Sequence, residues 1–496
     1  MTYTPILPLA LLSTWLTPLW LLSLGAALGL AVLGIGYGLL RLAAPRGAAA
    51  AISTVKESVL LPIAYLAIFM SVFVVIGTVV VPYRMLLSSA ARIFKTNHAE
   101  REFKIDATTT GQPIELIFDV AEVRSFTLES DHPVTVFTKV LKGAGENGEV
   151  RVKPGTRFEW RRPSTLDAPF EPELRDWTVR NTSGHPATLR VVANTDVRYP
   201  EVRAIPVTAI ALIGLFAGYL LLQWTMPKIS AIALSTAKEA ISQPLFYLVM
   251  TIGVVLLLAF IFVPYYTLGE DVKMLKDTGM ALIMALTIVL AVWSASVSIA
   301  EEIEGRTALT VLSKPVSRYK FILGKFVGIL GPVILMFVML GTLFLITVSY
   351  KVVYDAKESA QPEPSWQLCH LEIARTVPGL VLALMETTVM VAISVAISTR
   401  LPMLANLVIC SSIYVLGHLV PMLVNSSADQ FEIVHFFGRL FGTVLPVLDH
   451  FNIQAAVAAG ASVPLDYLGW ALLYCVLYSG IALLIGLAMF EDRDLA

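Results

Sequence analysis

Glu301, Glu302 and Glu304 stand close together in the chain, and Arg306, Lys314, Arg318 and Lys320 follow them. A long apolar run ends at Ile299 and another begins at Phe321. Two chemistries suit such a segment at a membrane edge. Clustered carboxylates could hold a metal ion or do acid–base work on a lipid-linked substrate. A short charged helix between two spans would instead be a lever for a soluble partner. Glu302 and Arg306 lie at i,i+4, a helix-supporting pair. Ile303, Thr307, Ala308, Val311 and Leu312 form a less polar stripe, and Pro315 stops the helix. Ser317 is placed to cap a following helix that starts near Arg318. An ordinary solvated charged loop is the remaining reading, and these residues alone do not separate it from the lever.

Other polar groups lie inside apolar runs. Glu386 sits near the middle of 374–398, where a charge costs several kcal/mol unless it is paired or wet. It belongs either to a translocation path or to a buried contact that holds helices together. His418, in the run 402–424, could be its partner. Asn406, Ser411 and Ser412 read as interhelical hydrogen-bonding groups. His435, Asp449 and His450 invite a copper reading, but their spacing matches no compact metal motif, so a structural role is expected. No catalytic constellation or metal site is expected. No GxxxxGK[ST] loop occurs: Gly324-Lys325 is followed by Phe326, so no phosphate cradle is present. Cys369, Cys410 and Cys475 form no CxxC or His/Cys cluster, which argues against disulfide scaffolds and zinc sites.

The chain is 56% hydrophobic and 15% charged with a net charge of −1. A soluble domain carries about 25% charged residues. An all-α polytopic membrane protein is expected, with nucleic acid excluded as a partner. The N-terminus lacks a basic region, so no cleaved signal peptide is expected. A bilayer core of about 30 Å needs about 20 apolar residues per helix. About nine segments qualify: 15–41, 60–82, 204–226, 245–265, 279–300, 322–349, 374–398, 402–424 and 466–490. Arg41, Arg46 and Lys56 fill the first connection, and Lys228 and Lys238 fill the third. Basic short loops stay cytoplasmic. That puts the N-terminus and 84–202 outside, and 300–321 and the C-terminus inside. Arg84, Arg92, Lys95 and Arg101 oppose this, but large domains translocate largely regardless of charge.

Residues 27–83 align without gaps with 209–265, at a constant offset. Gly36-Tyr37 matches Gly218-Tyr219, Pro45-Arg46 matches Pro227-Lys228, and Lys56-Glu57 matches Lys238-Glu239. Pro62 matches Pro244, and Val81-Pro82-Tyr83 matches Val263-Pro264-Tyr265. The unit is span, cytoplasmic connection, span. Direct repeats of this kind occur in transporters, although a duplication need carry no mechanism. Each connection (46–58 and 228–243) suits a short interfacial elbow helix, with Pro62 and Pro244 at the turn into the membrane.

Residues 84–202 change character. Stretches such as 113–120, 133–140 and 187–193 are rich in β-branched residues and punctuated by Gly143, Gly145, Pro154-Gly155 and Gly184. A small inserted extracytoplasmic β-sandwich is expected. His132 and His185 each precede proline and read as turn residues. Asn181-Thr-Ser183 fits a glycosylation sequon. The stretch 425–465 is too apolar for an open loop and reads as re-entrant or interfacial helices.

The charged segment reads Glu302-x-Glu304-Gly305-x-Thr307, then Val311-Leu312-Ser313-x-Pro315-x-Ser317-Arg318, and closes with Gly324-Lys325. This pattern resembles the ABC-2 type transporter permease family, in particular the branch that includes permeases for multicopper-enzyme maturation. Leu445–Asn452 and the terminal Phe490-Glu-Asp-Arg-Asp-Leu495 resemble further parts of that family. The resemblance covers roughly 228–496, a six-span permease core. Residues 1–83, an N-terminal two-span extension with its own elbow, the outer domain 84–202 and the third span at 203–227 depart from the minimal pattern.

The resemblance implies a membrane subunit of an ATP-driven transporter, expected to be an exporter in the bacterial inner membrane. It implies a homodimer or pseudo-dimer with a second permease, and a separate ATPase subunit that binds ATP. This chain itself would carry no cofactor. Coupling to the ATPase would fall on Glu301, Glu302, Glu304, Gly305, Arg306, Thr307, Leu312, Pro315, Ser317 and Arg318. Elbow helices would carry Lys56, Glu57, Lys238 and Glu239. The competing classes are an integral-membrane enzyme on a lipid-linked substrate, and a receptor or scaffold that uses the outer β domain.

Overall fold

The computed structural model describes residues 7–93, 99–107, 111–115, 122–137, 149–161, 176–181, 183–263, 271–301, 317–426, 436, 440, 442 and 445–491. The chain divides into two compact units, Met1–Val81 with Ala204–Ala496, and Pro82–Arg203.

The larger unit is helical. Its first part comprises α1 (Leu7–Ala43), α2 (Pro45–Glu57) and α3 (Leu60–Gly77). After the inserted unit come α5 (Ala204–Thr225), α6 (Pro227–Ser242), α7 (Pro244–Ala259) and α8 (Asp271–Ala295). A π-helical turn, Ser296–Glu301, ends α8. The remainder comprises α9 (Arg318–Glu358), α10 (Trp366–Ser398), α11 (Met403–Ser426), the short α12 (Gln454–Ala458) and α13 (Leu465–Glu491). Helix, elbow and helix thus recur as α1–α2–α3 and α5–α6–α7, in the register of the sequence repeat.

Helices occupy all nine expected span positions, but fewer meet the length requirement. Among the described residues, seven helices are long and apolar enough to cross a membrane, or eight if the bent pair α6–α7 is one span. One of the nine falls short for a local reason. α7 has 16 residues, about 24 Å at 1.5 Å per residue, and turns at Phe260–Phe262 ahead of Pro264, which disfavours further helix. α11 is helical over 24 residues, Met403–Ser426, with the apolar stretch Met403–Leu419 within it. α9, with 41 residues, measures about 60 Å, so it outreaches a bilayer core.

Leu290, Ile329, Met336, Phe344, Val391 and Val395 centre the apolar core on α8, α9 and α10. Small residues bring the repeat's helices together. A side chain at Gly25 of α1 would meet the Ile205 carbonyl and Thr208 Cβ, both at 2.7 Å, on α5. Gly29 faces Ala209 and Leu212 one turn along. Such small-x-x-x-small faces let backbones approach closely in lipid. Trp20 of α1 fills the space left by Gly77 of α3 and donates its indole N–H to the Val74 carbonyl at 2.9 Å.

The smaller unit is a β-sandwich. One four-stranded antiparallel sheet has the order β1 (Ala99–Ile105), β8 (Ala187–Thr195), β3 (Val123–Ser130) and β6 (Phe158–Arg161). The other has the order β2 (Gln112–Glu115), β7 (Asp176–Asn181), β4 (Val134–Phe137) and β5 (Glu149–Val152). Alternation fixes the faces: Ala187, Leu189, Val191 and Ala193 of β8 point inward. They pack in one cluster with Val134, Val136, Val152 and Val179 of the other sheet. A short helix, α4 (Tyr83–Ala91), and a 3-10 turn, Pro200–Arg203, flank the sandwich in sequence.

Candidate functional site

Of the expected coupling residues, Glu302, Glu304, Gly305, Arg306, Thr307, Leu312 and Pro315 lie outside the described residues, as does the side chain of Glu301. Glu301 closes the π turn. Ser317 is the N-cap of α9, but its side chain makes no capping bond; its carbonyl accepts from the Lys320 and Phe321 amides instead. Arg318 joins α9 to the end of the chain's last described helix. Its Nη1 donates to the carbonyls of Phe490 at 3.0 Å and Glu491 at 2.6 Å, at the end of α13. Its guanidinium also lies over the Phe490 ring, which stacks on Phe321. Arg400 Nε donates to the Met489 carbonyl at 2.7 Å. Two arginines thus satisfy the carbonyls that any helix C-terminus leaves open and complement its dipole.

The first turns of α9 are clamped to the elbow α6. A side chain at Gly324 would meet Ile232 Cβ at 2.7 Å, and one at Gly328 would meet Thr236 Cβ at 2.6 Å and the Ala233 carbonyl at 2.8 Å. Gly331 faces Val59 and Ala237, one from each repeat. Both elbows begin with proline at the first helical position, Pro45 and Pro227, where φ is already helical and no N–H is needed. α6 and α7 are bent by 63° about Gln243, which has extended backbone. Pro244 starts α7 as expected. In the first copy the break falls earlier, at Ser58-Val59, because the Ser58 hydroxyl accepts the Leu60 amide at 3.2 Å. Pro62 consequently sits inside the first turn of α3. Lys56 is exposed, while Glu57 lies 3.6 Å from Lys238 and links the elbows. Exposed pairs contribute about 0–1 kcal/mol, so the glycine contacts dominate. Glu239 lies beside Lys238 on α6.

Two more contacts tie the segment's other flank to the bundle. Trp293 of α8 donates its indole N–H to Gln243 Oε1 at 3.0 Å, at the elbow break. Asn406 of α11, fully buried, places Nδ2 at 2.8 Å from Ser296 and Ser394 and 2.9 Å from Ser398. It therefore joins the π turn, the end of α10 and the start of α11. Ser412, by contrast, is exposed and bonds back to Val408 of its own helix, so its expected interhelical role is not seen.

Glu386 and His418 meet. Glu386 is fully buried on α10, and His418 Nε2 lies 3.4 Å from its Oε1. The contact is within ion-pair range but too poorly aligned to hydrogen-bond, and neither carboxylate oxygen has another hydrogen-bond partner among the described residues. His418 Nδ1 is 3.0 Å from the Tyr414 carbonyl, which favours a proton on Nδ1. Nε2 is then left facing the Glu386 carboxyl at ion-pair distance, without a hydrogen bond between them.

A second charged region escaped the sequence reading because its members look like span-end loop residues. Lys276 of α8 is buried, and its Nζ lies 2.7 Å from Glu372 of α10 and 3.2 Å from the Val457 carbonyl. Arg375 stands 3.6 Å from the same carboxylate. Lys351 of α9, also buried, lies 3.5 Å from Asp271 and 3.2 Å from the Ile261 carbonyl. Asp271, Asp355 and Glu358 bring their carboxylates within 4.8 Å of one another. Lysines just inside apolar runs and acids at the starts of others were the available signal.

In the β unit, His132 and His185 occupy turns as expected, their rings 5.9 Å apart. Asn181 is buried, donates to the His185 carbonyl at 2.7 Å and accepts from Ser183, so the sequon does not present its amide for modification. The backbone N–H of Thr188 holds the Asp131 carboxyl below the usual carboxylate range. Asp449 and His450 form a 3-10 turn. The His450 carbonyl accepts from Tyr467 and its ring packs edge-on to Tyr474, a structural arrangement. His435 lies outside the described residues. Compared with known proteins, the chain matches no family model and no curated sequence.

Proposed function

We propose that this chain is the membrane-spanning permease subunit of an ATP-driven transporter of the ABC-2 type, working as an exporter with a separate ATPase. The observation that carries this reading is the convergence of packing around the two flanks of 302–316. On one side, α9 leaves the segment clamped to elbow α6 by Gly324 and Gly328 and bonded to the end of α13 by Arg318. On the other, the π turn of α8 is held by Asn406, and Trp293 grips the elbow break. A force on 302–316 would reach α6, α8, α9, α11 and α13 together. A solvated loop has no need of that arrangement, whereas a coupling lever requires it.

In this reading the chain crosses the membrane nine times, N-terminus outside and C-terminus inside. The segment 302–316 is cytoplasmic and the β-sandwich extracytoplasmic. Two permeases face each other, as a homodimer or a pseudo-dimer, above two ATPase subunits that bind ATP. Glu386 and His418 lie on the path that closure moves, where the imidazole stands within ion-pair range of the buried carboxyl. The test is proximity. The native cysteines are buried and free, so a Glu302→Cys variant offers one reactive thiol. Cross-linking to a co-expressed ATPase from a neighbouring gene supports the reading, and labelling from the opposite side of the membrane refutes it.

A further inference from the structure

The cleft between the start of α8, the end of α9 and the start of α10 plays no part in the coupling scheme. It encloses about 290 Å³, at the small end of ligand pockets, which run from about 300 to 1,000 Å³. That size suits a headgroup rather than an extended substrate. Its lining carries charges of both signs: Lys273 and Lys276 of α8, Asp355 of α9, and Glu372 and Arg375 of α10. On the α8–α10 wall, Lys276 and Arg375 share one carboxylate, Glu372. On the α9 side, Asp355 lines the cleft, and its carboxylate stands with those of Glu358 and of Asp271 at the start of α8, with Lys351 3.5 Å from Asp271.

Both walls are braced from behind, since Lys276 and Lys351 are each buried and anchored on a main-chain carbonyl. Arg375 and Asp355 are partly exposed, so their charged ends meet an incoming molecule. Gly460 forms the rim with φ +87°, and a Cβ there would lie 3.0 Å from Arg375 Nη1. Glycine at this turn leaves the guanidinium its place. Among the described residues no aromatic ring lines the cleft. Quaternary ammonium groups are recognised by aromatic cages, whereas a primary ammonium needs carboxylate acceptors.

We propose that this cleft binds an ammonium–phosphate zwitterion, the headgroup chemistry of phosphatidylethanolamine. The phosphate faces Arg375 and Lys276, where a bidentate guanidinium contact is available. The primary ammonium faces Asp355. The ligand completes both charge networks at once, which a simple anion or cation would not.

The full-length protein in phosphatidylcholine nanodiscs is titrated with glycerophosphoethanolamine. Glycerophosphocholine, glycerol 3-phosphate and ethanolamine serve as comparisons. Native mass spectrometry from mixed nanodiscs then reads retained lipid. The expected result is at least tenfold tighter binding of glycerophosphoethanolamine than of any comparison compound, with a tenfold or greater loss in Arg375→Gln and in Asp355→Asn. Selective retention of phosphatidylethanolamine identifies the membrane as the source, and headgroup binding without retention identifies a free metabolite. Equal binding of glycerophosphocholine or glycerol 3-phosphate overturns the proposal. So does the absence of both headgroup binding and lipid enrichment, or full binding by both variants. The wild-type selectivity does not depend on whether either variant folds.

Discussion

Arg318 Nη1 donates to the Phe490 carbonyl at 3.0 Å, so the residue that opens α9 also closes α13. The chain's last described helix is thereby fastened to the exit of the charged segment. Hydrogen bonds to charged groups contribute about 1.5–3 kcal/mol each, less when partly exposed. Arg318→Ala is expected to lower stability by about 1–2 kcal/mol and to increase hydrogen exchange at Met489–Glu491. Unchanged exchange there would remove Arg318 from the linkage.

The elbow clamp is tested by adding one methyl group. In Gly328→Ala the new Cβ meets Thr236 Cβ and the Ala233 carbonyl below 3 Å, and overpacking of this kind costs about 1–3 kcal/mol. Gly341 of the same helix has only Leu380 at 3.6 Å, so Gly341→Ala should be neutral or stabilising by about 0.5–1 kcal/mol, the helix preference for alanine. Thermal unfolding in one detergent compares the two. Equal effects would mean that α6 and α9 are not in close contact.

Glu386→Gln keeps the shape of the side chain and removes its charge. Transport, or ATPase stimulation in the assembled complex, is expected to fall at least tenfold while the protein stays monodisperse. His418→Gln should do the same. If neither changes, the pair holds helices together and lies off the path.

The β-sandwich offers a pH test of defined sign. Asp131 accepts from the Thr188 amide at 2.7 Å and hydroxyl at 2.8 Å, and its folded carboxyl titrates below its ordinary value of 3.8. A lowered folded pKa gives stability that is present above the unfolded value and lost as pH falls through the folded one. Asp131→Asn should therefore exchange the Thr188 amide faster than wild type at neutral pH. The difference should begin to shrink near the ordinary value of 3.8 and vanish once the pH is below the lowered folded value. The site is exposed, so the effect is small. A difference that persists at low pH would show that the carboxylate is not its cause.

Much of the helical framework was legible because apolar runs and a repeated proline–elbow–proline pattern act locally. Pro45 and Pro227 announce their helices, and α7 follows Pro244 directly. The break at Ser58 was not legible, because a serine hydroxyl there does what proline does in the other copy. The Glu386–His418 meeting could be suspected, since two polar groups in apolar runs need partners. The Lys276–Glu372 and Lys351–Asp271 pairs could not, since each joins residues far apart in sequence that look solvated where they stand. The contacts of Arg318 with the end of α13 were not legible either, since sequence shows its neighbours and not the helix end that folds back onto it.

The most direct measurement is ATPase stimulation by the purified full-length chain, with the ATPase from a neighbouring gene, in wild type and in Glu301→Gln/Glu302→Gln/Glu304→Gln/Arg306→Gln. Wild type should bind the ATPase and raise its turnover. The neutralised variant should lose at least tenfold in association while retaining its folded core. No association by the wild-type chain, or full association and stimulation by the variant, would contradict the coupling role of this segment.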